Sequence, residues 1–146
     1  MQIKALGHVV LKVRNLERSL AFYRDILGMK EVARLRTTMV FFSFGSNHHD
    51  LALLQIGDMA SSPVADGVGL YHVAFKIGDS LDELRALKQH LDQHKVPILG
   101  TSDHAVSQSF YIQDPDGIEI ELYVDADPSI WRDNPAALTT LKPLKL

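Results

Sequence analysis

An α+β fold built from two βαβββ modules is what this sequence predicts, and three observations carry the prediction. The chain repeats itself: His8-Val9-Val10-Leu11-Lys12-Val13 is echoed, close to half the 146-residue chain further on, by His72-Val73-Ala74-Phe75-Lys76-Ile77. Each echo is followed by a segment whose apolar residues recur at helical spacing and which ends at a helix stop. Each such segment is followed by extended stretches of alternating character, broken by Gly, Pro, Asn and Asp. Where two such halves curve toward each other, their strands form an open, curved mixed β-sheet barrel around a shared cavity, with the helices outside.

Alternate residues of a strand share a face. In the first half, Val9, Leu11 and Val13 form the apolar face of the opening strand, while His8, Val10 and Lys12 look the other way. Asn15 can cap a helix in which Leu16, Leu20, Tyr23, Ile26 and Leu27 recur at helical spacing, and Gly28 stops it. Strands follow at about 30–36, 38–44 and 49–56, with a turn at Gly45-Ser46-Asn47. In the second half, Val73, Phe75 and Ile77 are the core side and His72 is opposite. Ser80-Leu81-Asp82-Glu83 is a capping box, Leu84, Leu87 and Leu91 follow on one face, and Pro97 bars continuation. Strands follow at about 97–101, 107–113 and 118–124, the last two joined by the turn Asp114-Pro115-Asp116-Gly117. Val106, Phe110 and Ile112 are core, with Ser107, Ser109, Tyr111 and Gln113 opposite; Ile118, Ile120, Leu122 and Val124 are core, with Glu119, Glu121 and Tyr123 opposite. The expected organisation is one domain over 1–146: module one about 5–57, a linker 58–67 carrying Ser61, Ser62 and Pro63, module two about 68–125, and a tail 126–146 with a short helix and no second core.

Composition narrows the function. Apolar residues make up 46% and charged residues 23%, ordinary values for a globular domain. The net charge of −3, with no basic run longer than Lys12 to Arg14, gives a nucleic acid or an anionic membrane no electrostatic footprint. Cysteine is absent, which excludes disulfides, thiolate metal sites, Fe–S clusters and cysteine nucleophiles. A metal must therefore be held by His, Asp, Glu, amide or water. There is no signal-peptide pattern at Met1-Gln2-Ile3-Lys4 and no apolar run of the ~20 residues that span a bilayer, so the expected compartment is the cytoplasm.

The face turned from the helices carries His8, His72, Tyr111 and Glu121. Two imidazoles and a carboxylate converging there would bind a divalent ion and leave coordination positions open, the arrangement of non-haem Fe(II) oxygenases. The plain alternative is that a histidine early in a strand is a half-exposed polar residue, and that Glu121 in an alternating strand faces solvent. His90 and His94 stand one helical turn apart, near the C-terminus of the second helix on its polar side, and read as surface residues favourable there when charged. His48 beside His49 reads as a loop pair.

Four stretches carry a resemblance to a known family. Gly7-His8-Val9 opens the first module; His49-Asp50-Leu51-Ala52-Leu53 resembles a His-Asp-x-Ala-Leu stretch; Tyr71-His72-Val73-Ala74-Phe75 resembles a His-Val-Ala-Phe strand. The longest runs from Asp103-His104-Ala105-Val106-Ser107 through Phe110-Tyr111 and Asp114-Pro115-Asp116-Gly117 to Glu119-Ile120-Glu121-Leu122-Tyr123. In order, over about 5–134, they resemble the vicinal oxygen chelate superfamily, and within it the catalytic half of type I extradiol dioxygenases of the catechol 2,3-dioxygenase kind. That resemblance implies Fe(II), with Mn, Ni or Zn as alternatives, held by His8, His72 and Glu121. It implies His49 as acid–base residue, with Tyr111 and His104 hydrogen bonding to substrate or oxygen. The partners implied are a small aromatic, catecholic substrate and O2. Many relatives carry a preceding pair of modules that this chain lacks.

One position separates branches of the family. Glyoxalase I-like members take a fourth protein ligand, usually Glu, from the last strand of the first module. Aligning Asp50-Leu51-Ala52-Leu53-Leu54-Gln55 with the strand of Glu121 puts Ala52 there, and a register shift would offer Gln55 instead. Three protein ligands suit a bidentate catecholate plus O2; four suit an isomerase or lyase of the glyoxalase kind. A third reading is a module that binds a small aromatic or an antibiotic without metal. Alternation gives His49 the parity of Leu51, not Ala52, so its role requires that it precede the regular strand or lie on a bulge. Finally, the apolar run Val40, Phe41, Phe42, Phe44 and the tail residues Trp131, Leu138, Leu141, Leu144 and Leu146 predict a homodimer, because period-two packing in one small module does not bury them all.

Overall fold

A computed structural model describes residues 1–146, which divide into two compact units, Met1–Pro63 and Val64–Leu146. The first unit contains β1 (Val9–Val13), α1 (Leu16–Leu20), β2 (Glu31–Leu35), β3 (Met39–Phe42) and β4 (Leu51–Gln55). The second contains β5 (His72–Gly78), α2 (Leu81–Gln93), β6 (Gly100–Asp103), β7 (Ser107–Gln113), β8 (Glu119–Asp125) and α3 (Ser129–Asp133), followed by a short 3₁₀ turn. Each unit forms a mixed four-stranded sheet, in the orders β1-β4-β3-β2 and β5-β8-β7-β6. In each, the first and last strands are parallel neighbours and the rest antiparallel, so both units have the same βαβββ topology.

Local sequence explains the elements of the first unit. The Asn15 side chain accepts from the Arg18 N–H at 3.0 Å, and the Gln55 Oε1 accepts from the Leu16 N–H at 2.8 Å, so two orphan donors of α1 are satisfied. Beyond Leu20 the helix widens into a π turn over Ala21–Ile26, where the Leu27 N–H reaches the Phe22 carbonyl at 2.9 Å. The predicted continuous α-helix to Leu27 is thus replaced after its first turns. The wider turn lets Phe22 and Tyr23 both bury, with their rings edge to face at 5.1 Å. Gly28 then reverses the chain at φ 71°. Leu11, Val13, Leu16, Leu20, Tyr23, Val40, Phe42, Leu51 and Leu53 make the core. The apolar run of β3 is divided between faces: Val40 and Phe42 are fully buried, Phe41 is half-buried, and Phe44, past the strand, is exposed.

In the second unit the capping box forms with one change. The Glu83 N–H donates to the Ser80 Oγ at 3.3 Å, but the Glu83 carboxylate accepts from the Asp79 N–H at 2.9 Å and the Ser80 hydroxyl at 2.8 Å. The strand expected at about 97–101 lies at Gly100–Asp103, because Pro97 has no N–H for a ladder and Lys95 takes a left-handed turn at φ 57°. Val73, Phe75 and Ile77, expected in the core, are only half-buried, unlike Leu11 and Val13 of the equivalent edge strand β1. The core is Leu84 and Leu91 of α2 against Phe110, Ile112, Ile120, Leu122 and Val124. The turn into β8 is tied by Asp114, whose carboxylate accepts from the Asp116 and Ile118 N–H groups, each at 2.8 Å. The tail pairs with the edge of β6 through reciprocal Asp103 and Lys142 backbone bonds of 3.0 and 2.9 Å.

Candidate metal centre

The second unit gathers four of the candidate residues. His72 opens β5, and the parallel register sets Ala74 opposite Glu121 of β8. Side chains of His72 and Glu121 therefore leave the same face, and His72 Nε2 lies 3.1 Å from Glu121 Oε2. The antiparallel register sets Tyr111 of β7 directly opposite Glu121, with its ring 5.8 Å from the His72 ring. Glu121 is 9% exposed, so the reading of a solvent-facing carboxylate does not hold. Its other oxygen, Oε1, accepts a hydrogen bond of 2.5 Å from the hydroxyl of fully buried Ser109. His72 Nδ1 is buried without a hydrogen-bond partner, and the Glu119 carboxylate stands 3.6 Å from it.

His104 completes this cluster from the β6–β7 connection. The Thr140 carbonyl can only accept, so its 2.8 Å contact with His104 Nδ1 places the proton on that nitrogen. The other ring nitrogen, Nε2, lies 3.4 Å from the Tyr111 hydroxyl. Ser102 Oγ lies 3.2 Å from the same hydroxyl. Burial raises the Tyr111 pKa; the Ser102 hydrogen bond opposes this and the Glu121 carboxylate adds to it. Tyr111 is therefore a protonated donor throughout the neutral range. Ala105, at φ 64°, holds the turn that aims His104, helped by the Asp103 carboxylate accepting from the Ala105 N–H at 2.8 Å.

The first unit holds the other two candidates. His8 precedes β1 and His49 precedes β4, so the expectation that His49 lies outside the regular strand is the one realised. The parallel pairing of β1 and β4, with the Val9 N–H donating to the Asp50 carbonyl at 3.0 Å, brings the two rings to 4.2 Å. Phe41 meets His49 edge-on at 5.2 Å, and His48 Nδ1 lies 2.6 Å from His49 Nδ1. Burial lowers the His49 pKa, and the neighbouring His8 and His48 lower it further, against Asp50.

The duplicated registers locate the equivalent of Glu121. Glu121 faces Ala74, two residues past His72; Ala52 faces Val10, two residues past His8. The first unit thus carries an alanine where the second carries a carboxylate. Gln55 is engaged elsewhere, capping α1. Neither unit by itself gathers three His, Asp or Glu side chains as a metal-binding group.

The second unit's donors nonetheless suit a divalent ion. Bonds of about 2.1 Å meeting at a right angle put two donor atoms about 3.0 Å apart, and the His72–Glu121 pair stands at 3.1 Å. The unpartnered Nδ1 faces the Glu119 carboxylate, the kind of group to which a metal-binding imidazole donates from its other nitrogen.

Sequence reasoning put Ser109 on the correct face, two residues before Tyr111, but gave it no role; Ser102 and Thr140 it missed. Parity was the available signal for Ser109, whereas a backbone carbonyl in the tail leaves none. His90 lies on α2 and His94 caps its C-terminus, with rings 4.3 Å apart and His94 Nδ1 2.9 Å from the His90 carbonyl. No helix is long and apolar enough to cross a membrane.

Known proteins share this plan. The sequence pattern of the Glyoxalase/Bleomycin resistance protein/Dioxygenase superfamily matches residues 5–122. A catechol-2,3-dioxygenase of Bacillus subtilis (strain 168) is 34% identical over 130 residues, which cover 87% of this chain and 44% of that protein. The chain thus spans less than half the length of that relative. A lactoylglutathione lyase of Neisseria meningitidis is 29% identical over 121 residues, covering 80% of this chain and 87% of that protein. Among solved structures, a glyoxalase/dioxygenase from Nostoc punctiforme superposes with a TM-score of 0.71 at 22% identity, over 84% of this chain and 91% of that one, which shows the shared fold. The chain belongs to the Glyoxalase/Bleomycin resistance protein/Dioxygenase superfamily, the vicinal oxygen chelate proteins.

Proposed function

We propose that the protein is an Fe(II)-dependent extradiol-type dioxygenase that opens the ring of a catecholic compound with O2. The observation that carries the reading is the unequal pair of registers: a glutamate opposite Ala74 in one unit and Ala52 opposite Val10 in the other. His8, His72 and Glu121 would hold the metal, and a ligand set of three leaves room for both catechol oxygens and O2. The bound ion would supply Lewis acidity toward the catechol and an electron path between the ring and O2. The chain's own residues handle protons and position. His49, with its pKa pushed down by burial and by its histidine neighbours, is neutral at pH 7 and can accept the catechol proton. Tyr111 keeps its proton and can donate to a substrate or oxygen atom. His104, held by Thr140, stands beside the Tyr111 hydroxyl and orients it.

A second reading, a metal-dependent isomerase or lyase of the glyoxalase kind, is favoured by the near-complete length match to the lactoylglutathione lyase. The engagement of Gln55 with α1 weighs against it, since that reading needs a fourth ligand. Anaerobic reconstitution with Fe(II), followed by a panel of catechols, tests the proposal. Ring-opened yellow product with stoichiometric O2 uptake is expected. Absence of both with every catechol, and tight Ni or Zn without iron, would favour the second reading.

A further inference from the structure

Resting on that reading of Glu121, we infer that Ser109 is a positioning residue that fixes Glu121 as a one-oxygen ligand. A carboxylate offers two oxygens to a cation and, left free, can swing between one-point and two-point binding. Here the oxygens are already divided. Oε1 receives the Ser109 hydroxyl at 2.5 Å, while Oε2 points to His72 Nε2 at 3.1 Å. Ser109 has no exposure to solvent, so water does not replace its donor. Its backbone faces Tyr123 in the β7–β8 ladder, which fixes where the hydroxyl stands. Two-point binding would require Oε1 to swing toward the ion and away from its best alignment with a hydroxyl whose place the ladder fixes, which weakens a buried hydrogen bond and disfavours that mode. The hydrogen bond therefore sets both the orientation of the ligand and the number of positions left for other molecules.

Co(II), whose visible absorption reports coordination number, is the probe. Full-length wild-type protein is titrated anaerobically beside Ser109→Ala, Ser109→Cys and Ser109→Thr. Loss of an outer hydrogen bond to a ligand typically weakens metal affinity about 10- to 100-fold. That loss is expected for Ser109→Ala, with changed Co(II) band intensity, a smaller loss for Ser109→Cys, and rescue by Ser109→Thr. Thermal melts of the metal-free proteins report folding, and Ser109→Cys, close in volume, carries the test if Ser109→Ala does not fold. Wild-type binding with unchanged affinity and spectrum in the Ala and Cys variants would overturn the inference while leaving the dioxygenase reading intact. A wild-type protein that binds no Co(II) would overturn both. Wild-type binding and the expected losses, in a protein that cleaves no catechol, would leave the inference standing and remove the dioxygenase reading.

Discussion

Replacing Gln55 by alanine separates a helix cap from a metal ligand. The Gln55 Oε1 accepts from the Leu16 N–H at 2.8 Å, and Leu16 is 2% exposed, so water has poor access to that N–H once the acceptor is gone. Losing a cap costs about 0.5–2 kcal/mol, and an unsatisfied buried donor costs about 1–3 kcal/mol. The overlap puts the expected loss at about 1–2 kcal/mol. For a chain of this size each kcal/mol lowers Tm by about 3–4 °C, so Gln55→Ala is expected to melt about 3–8 °C below wild type. Affinity for Fe(II) or Co(II) should stay within about twofold, because no ligand is touched. Gln55→Glu keeps an acceptor beside the N-terminus of α1 and should recover most of the stability. The assays are a calorimetric melt and an anaerobic metal titration on the same preparations. A metal affinity lowered tenfold or more, with an unchanged melt, would refute the capping account and make Gln55 the fourth ligand.

Three further outcomes are expected. Single substitutions His8→Ala, His72→Ala and Glu121→Ala should each cut the iron content of reconstituted protein at least tenfold, measured by elemental analysis; full iron in His8→Ala would remove His8 from the proposed ligand set. A His49 held below the ordinary imidazole value of about 6.5 is protonated only as pH falls through its lowered pKa, so activity should be retained from pH 7 down to that point and lost below it. His49→Ala should abolish this acid limb, and an acid limb at or above 6.5 that survives the substitution would exclude His49 as the base. Exposed Phe44, Leu138 and Leu141, at 57%, 60% and 72%, favour a homodimer; sedimentation velocity at micromolar concentration should show twice the 16.3 kDa chain mass, and a single species at that mass would end the proposal.

Much of the fold was legible because duplication wrote its pattern twice. Parity alone placed Leu11 and Val13 in the core and His8 and Val10 away from it, and it did the same for Ile120 and Leu122 against Glu121. It failed where burial depends on neighbours rather than period: β5 alternates as predicted, but its apolar residues are only half-covered, whereas those of the equivalent strand β1 are buried. The π turn after Leu20 was invisible, since Phe22 and Tyr23 fit either helical period until tertiary packing chooses. Strand position put His72, Glu121 and Tyr111 on one face because ladder register is a simple consequence of period. Contacts made by Thr140 and Lys142 depend on where an irregular tail returns, which no local pattern specifies.

The alanine at position 52 also bears on how such a protein changes over generations. Duplication produced two strands with the same slot, and only one of them is occupied by a carboxylate. Ala52 is fully buried, which keeps that slot small. Every alanine codon lies a single base from a codon for aspartate or glutamate. A descendant that made room beneath Phe41, which pairs with Ala52 across β3 and β4, would sit one nucleotide from a different set of ligands. The repeated architecture thus keeps a neighbouring chemistry within mutational reach without any change in the second unit.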